Sequence, residues 1–347
     1  MVQEALDERR PPEDVARKVL EGLESAHWGG EHSQNSVAAT IALALQKAGE
    51  DVTYAELMGL SGSAFRFQVY QPDWCPSAPH PACGYDCIRP LMAAIPYEAD
   101  EYPTGEADDA ARERAAEAAR ESINRGVPAI ASSEEESLIV GYEDEGRTLL
   151  LRPYCSWDPG YTPMEGWPWM VMVLRRQDEA PDRRASIVRS LRQAVAMAHA
   201  ERAPGHGEGL WYACGFKAFE LLIEQLRRPD LFDDAAKRHT QMQANGHTYY
   251  SLIDARGCAV AYLREVAGEF DADVGEHLLK AADHYEAEVA ALMPKCSTEI
   301  APMAWMLEEG RSWDQPMRER QAAITERVLE LDRQAIAEIE AALAALG

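Results

Sequence analysis

The chain has 347 residues, enough for two separate cores, and its 46% hydrophobic and 27% charged content are those of an ordinary globular protein. Acidic residues (59) outnumber basic ones (34) for a formal charge of −25, which excludes nucleic acid or an anionic membrane surface as the main partner. Seven cysteines, a charged start without the apolar core of a secretion signal, and no bilayer-length apolar run point to free thiols in a reducing cytoplasm.

In chain order, Pro11-Pro12-Glu13-Asp14 predicts a helix start, with Val15, Val19, Leu20 and Leu23 on one face. A polar loop, Gly29-Gly30-Glu31-His32-Ser33-Gln34-Asn35-Ser36, then enters a small-residue helix over 37–45. That helix has almost no polar face, so it is expected to be buried all round, capped by Ser33, Asn35 or Ser36 and closed by Ala48-Gly49. Thr53 caps a short helix through Met58. Residues 59–67 read as a tight turn feeding a strand and not as a phosphate loop, since no Gly-Lys-Ser/Thr follows. Residues 71–82 form a proline-rich ordered loop, 85–95 a short helix containing Pro90, and 107–125 an exposed helix.

From Val127 the period changes. Strands are predicted over 128–131, 137–142, 148–152 and 167–174, with a hairpin turn at 143–146. Glu179-Ala180-Pro181-Asp182 marks a boundary, beyond which only helices are predicted, over 185–202, 209–228, 231–244, 247–268, 274–293 and 317–346. The expected fold class is α+β: an N-terminal domain over 1–178, with a buried helix and a mostly antiparallel sheet, and an all-α helical domain over 179–347. A buried helix followed by a sheet is the papain-like order, in which a nucleophile sits at the helix N-terminus and a base comes from a strand.

Gly30-Glu31-His32-Ser33 ahead of the small-residue helix resembles the glycine, His-Cys entry of the N-terminal domains of butirosin-biosynthesis protein H, relatives of the bacteriocin-leader peptidases of papain-like fold. The segment 49–59 followed by Ser61-Gly62-Ser63-Ala64-Phe65-Arg66 is similar to the next stretch of such domains, Leu138-Ile139-Val140-Gly141-Tyr142 to their strand and turn, and 247–257 to the helical tail of relatives. The resemblance covers about half the chain in scattered blocks. It implies a papain-like N-terminal domain and acyl-transfer or amide chemistry on a small-molecule or carrier-bound substrate. The departures are chemical. Ser33 stands where the family places its cysteine, with Ser36 and Thr40 as alternative registers, and serine is the weaker nucleophile without a base. The base strand begins Glu134-Glu135-Glu136, no histidine lies between His80 and His199, and Arg152-Pro153-Tyr154 occupies the place of the orienting residue. A Cys-His protease site is therefore absent.

Ser33 and His32 read either as nucleophile and base at a helix end or as a helix cap and its neighbour. Gln34 and the helix-end amides would supply an oxyanion site, with Asn35 and Ser36 beside them. Glu135 or Glu136 would serve as the carboxylate base, or the three glutamates are a solvated turn of which strand alternation buries one face. Tyr154 and Trp157, with Tyr161, Trp167 and Trp169, either line a small-molecule pocket or pack as core. Cys75, His80, Cys83 and Cys87 share one loop, but their spacing is not that of a zinc ribbon, so neither metal nor cofactor is expected. The two functional readings are an acyltransferase or amidohydrolase built around Ser33, and a non-catalytic ligand-binding or interaction protein that keeps the cleft. Any homo-oligomer is assigned to the helical domain.

Overall fold

The computed structural model describes residues 17–26, 34–156, 158, 160–205, 208–293, 299–303, 306 and 313–347. In chain order the elements are β1 (Lys18–Val19), α1 (Ser36–Lys47), α2 (Tyr54–Leu60), a 3₁₀ turn (Ser63–Phe65), β2 (Gln68–Gln71), α3 (Ile88–Met92), β3 (Tyr97–Pro103) and α4 (Asp109–Asn124). There follow β4 (Ala129–Ser132), β5 (Glu136–Glu143), β6 (Thr148–Arg152), β7 (Thr162–Pro163) and β8 (Met170–Arg176). The remainder is α5 (Arg183–His199), β9 (Arg202–Pro204), β10 (Trp211–Cys214), α6 (Gly215–Leu226), α7 (Ala235–Val266), α8 (Ala272–Leu292) and α9 (Gln315–Ala345). This is a mixed α+β protein with an antiparallel sheet and a helical C-terminal region. Among the described residues, no helix is long and apolar enough to cross a membrane.

The described residues divide into two compact units, one made of those in 17–26, 36–52 and 97–178, the other of those in 34–35, 53–96 and 179–347. A single continuous run to residue 178 was expected from sequence. By contacts, 34–35 and 53–96 group with the C-terminal helices.

The first unit holds an antiparallel sheet in the order β3-β8-β4-β5-β6-β7, with β1 added to β5. The expected helix over 15–23 is not formed in its described part. Lys18–Val19 pairs as β1 with Tyr142 and Gly141, and a side chain at Gly141 would collide with the Lys18 carbonyl at 2.5 Å, so glycine there permits the close approach. β3 went unpredicted because Tyr97-Glu98-Ala99-Asp100 is charged. It is an edge strand whose Glu98 and Asp100 meet Arg175 of β8, and charge is what edges favour. α1 and α4 pack on this sheet. α1 begins at Ser36 and buries Val37, Ala38, Ala39, Ile41, Ala42, Ala44 and Leu45, as its lack of a polar face requires.

In the second unit, β2-β10-β9 forms a small antiparallel sheet, with Gln71 opposite Trp211 and Gln68 opposite Cys214. The prediction of helices alone beyond residue 179 is thus corrected: Trp211–Cys214 is a strand, because β2 supplies the partner that the local sequence does not reveal. The breaks predicted at 245–246 are absent too, since α7 runs unbroken from Ala235 to Val266. Thr53 caps α2 as expected, its side chain accepting from the Glu56 N–H. Phe67 stacks on Phe219 with ring centroids 4.0 Å apart, and Trp74, Phe232 and Trp313 form an edge-to-face aromatic group in the same core.

Candidate binding cleft

The residues singled out from sequence separate into two assemblies. One is internal to the first unit. The Ser36 hydroxyl, on the first residue of α1, donates to Oε2 of Glu136, the first residue of β5, at 2.5 Å. Both side chains are buried, and Thr40 bonds back to the Ser36 carbonyl at 2.8 Å. Of the two neighbouring glutamates one turns in: Glu136 is buried and Glu135 is exposed. Tyr154 is half-buried and its N–H donates to Ser137 Oγ at 3.3 Å. Of the other aromatics, Trp169 is 64% exposed. His32, Ser33 and Trp157 lie outside the described residues.

The second assembly belongs to the second unit and contains Gln34 and Asn35. They form part of the wall of an open cleft of about 430 Å³. Helix α7 supplies one side through Thr248, Ser251, Leu252 and Ala255, spaced i, i+3, i+4, i+7 so that they share a face. Asp254 lines the cleft beside them. Ser63, Arg66, Phe67 and Gln68, from the 3₁₀ turn into β2, supply the opposite lining with Pro79.

Two side chains build that lining. The proline-rich loop has little regular structure, so its carbonyls need donors from elsewhere. Arg66 gives Nη1–H bonds to Cys83 O at 3.0 Å and Tyr85 O at 3.1 Å, and one Nη2–H bond to Pro79 O. Gln68 Nε2 donates to Ala78 O at 2.7 Å and Cys83 O at 2.9 Å, while its Oε1 accepts from the Tyr85 N–H. Residues 78–85 are thereby held against β2 by side chains instead of a backbone ladder.

A relay fixes the other end. The Asn35 N–H donates to the Tyr54 hydroxyl at 3.0 Å, and that hydroxyl donates to Asp254 Oδ2 at 2.7 Å. Burial, and then the Asp254 charge, hold the Tyr54 phenol well above its ordinary pKa. Tyr54 therefore stays protonated and the direction of the relay is set. On the cleft surface Arg66 and Asp254 are a cation and an anion, each more than nine-tenths buried. Gln34 Oε1 is buried and has no hydrogen-bond partner among the described residues. Of the five Arg66 N–H donors, Nε–H and one Nη2–H have no partner there either.

The Cys87 and Cys214 thiols are not poised for chemistry. Burial raises the Cys87 pKa, against a lowering by Arg66, and pushes Cys214 up to about 11. Among the described residues, no three of Cys75, His80, Cys83 and Cys87 bring ligand atoms within 4.8 Å of one another. Sequence reasoning missed Arg66, Thr248, Ser251 and Asp254 as a group. A signal existed in the polar positions 248 and 251 on an otherwise apolar helix face, but the facing residues lie some 180 positions earlier in the chain.

No protein-family model matches the chain, and no curated protein matches it.

Proposed function

We propose that this chain is a binding protein for a small polar molecule, held in the cleft between α7 and the β2 segment of the second unit, and that it keeps a papain-like first unit without using it for proteolysis. One observation carries the reading: the cleft walls retain unspent hydrogen-bonding capacity at Gln34 Oε1 and at the Arg66 guanidinium, a costly condition in a buried wall unless a ligand or solvent meets it. The Ser36–Glu136 pair has the opposite character, both partners being buried and bonded to each other. A buried helix ahead of an antiparallel sheet supports the papain-like assignment. The test is a backbone amide NMR screen of the full chain against polar small molecules, including acyl-pantetheines. Binding should move the signals of Gln34, Ser63, Thr248 and Ser251. A screen in which no compound moves them overturns the reading.

The second reading, acyl transfer on a carrier-bound group with Ser33 as nucleophile and His32 or Glu135 as base, is favoured by one observation: Gln34, the sequence neighbour of Ser33, lines the cleft. Its test is acyl-thioester turnover by the native chain and Ser33→Ala. Equal rates remove Ser33 from the mechanism.

A further inference from the structure

Arg66 is the cation of the cleft lining, and it is more than nine-tenths buried. Its hydrogen bonds go to backbone carbonyls, those of Pro79, Cys83 and Tyr85. Carbonyls satisfy N–H groups but carry no charge to neutralise the guanidinium. A buried arginine ordinarily faces a carboxylate, as Arg256 in the same unit faces Glu288 and Asp332. Among the described residues Arg66 makes no such ion pair. Its positive charge is therefore buried against neutral partners, with Nε–H and one Nη2–H still to give.

Nε and Nη2 share an edge of the planar fork, a spacing that the two oxygens of a carboxylate match. Asp254, the other charged residue of the lining, is engaged with the Tyr54 hydroxyl and sets a negative charge in the same cleft. An anion is therefore drawn by Arg66 and opposed by Asp254. A second charge on the ligand would meet that opposition again and add the desolvation cost of a dianion, with no second cation in the lining to offset it. A monoanion is favoured over sulfate or phosphate. Resting on the reading of the cleft as the binding site, we propose that its ligand is a small monocarboxylate, seated with its oxygens on Nε–H and Nη2–H of Arg66.

The experiment is titration of the full chain at fixed ionic strength with sodium acetate, acetamide and sodium sulfate, followed by the Arg66 Nε–H signal and the cleft amides in the same kind of spectra. Acetate should move the Arg66 Nε–H signal and the neighbouring Ser63 amide along one saturating curve. The formal charge of −25 works against indiscriminate anion uptake, so saturation there marks a site. Acetamide, the neutral isostere, should bind at least roughly tenfold more weakly, since it loses the charge-assisted bonds. Sulfate should also bind more weakly than acetate, and Asp254→Asn, which keeps an acceptor for Tyr54, should narrow that gap. The proposal is overturned by an Arg66 signal that acetate leaves still, by acetamide or sulfate binding as tightly as acetate, or by a gap that Asp254→Asn leaves unchanged. Cleft amides that respond to another polar compound but not to acetate overturn this proposal and leave the binding reading standing. No response to any compound in either screen overturns both.

Discussion

Two sides of α7 solve the problem of a buried charge in opposite ways. Asp254 and Arg256 are two residues apart, which turns them about 200° from each other around the helix. Arg256 is fully buried against two acidic side chains: Nε bonds Glu288 at 3.1 Å, Nη2 bonds Asp332 at 2.6 Å, and Nη1 bonds Ala64 O at 2.9 Å. One arginine thus faces two carboxylates, and burial followed by the Asp332 charge holds the Glu288 carboxyl well above the usual range. Asp254, by contrast, accepts from the Tyr54 hydroxyl and lines an open cleft. The closed side ties α7, α8 and α9 together, and the open side borders the cleft. One face of α7 closes a buried charge cluster, and the other lines the cleft proposed for binding.

The largest effect should come from breaking the closed side. Arg256→Met leaves Glu288 and Asp332 buried without their cation and should cost about 3–5 kcal/mol in urea unfolding followed by circular dichroism; a loss under 1 kcal/mol would mean that the cluster is solvated. Next is Gly59→Ala in α2, where the new methyl would stand 2.1 Å from the Tyr262 ring of α7. Overpacking of about 1–3 kcal/mol is expected, and Tyr262→Leu in the same chain should recover part of it.

A smaller effect separates the two faces by pH. Because the folded Glu288 binds its proton more tightly than the unfolded chain does, its stabilisation is complete below the unfolded pKa of about 4.3 and is lost as pH rises toward the folded value. Its slope is at most ~1.4 kcal/mol per pH unit. Glu288→Gln, a neutral isostere, should flatten that alkaline slope at near-native stability. His247 runs the other way. Burial lowers its pKa to about 4, so its contribution is present above pH 6.5 and is lost as pH falls through 4. The smallest stability change belongs to Asp254→Asn, within about 1 kcal/mol because Tyr54 keeps an acceptor. Its consequence should appear in binding.

Much of the first unit was legible because its signals are local. The small-residue run 37–45 predicts a helix that the structure starts at Ser36, and the apolar strands around 143–146 predict the β5–β6 hairpin. Residues 134–136 show where legibility ends. Alternation says that one glutamate of a consecutive pair turns inward, but only the β5 register, with Glu136 opposite Ser132, says which. Trp211–Cys214 was read as helix because the residues after it are strongly helical and its partner strand is far away in sequence. The cleft was hidden for the same reason. Arg66 looked like part of a turn and Asp254 like part of a tail, and neither residue advertises the other.

The pairing of β2 with β10 also has a consequence in time. Gln71 must wait for Trp211, about 140 residues later in the chain. At a synthesis rate of about 5–20 residues per second that is a delay of roughly 7–28 s. Throughout it the β2 edge lacks the strand that covers it, and Phe67 lacks Phe219. A chain emerging from the ribosome therefore carries an unfinished second unit until α6 has been made, and a chain stopped at residue 178 never completes it. In this protein the order of manufacture and the order of assembly are different things.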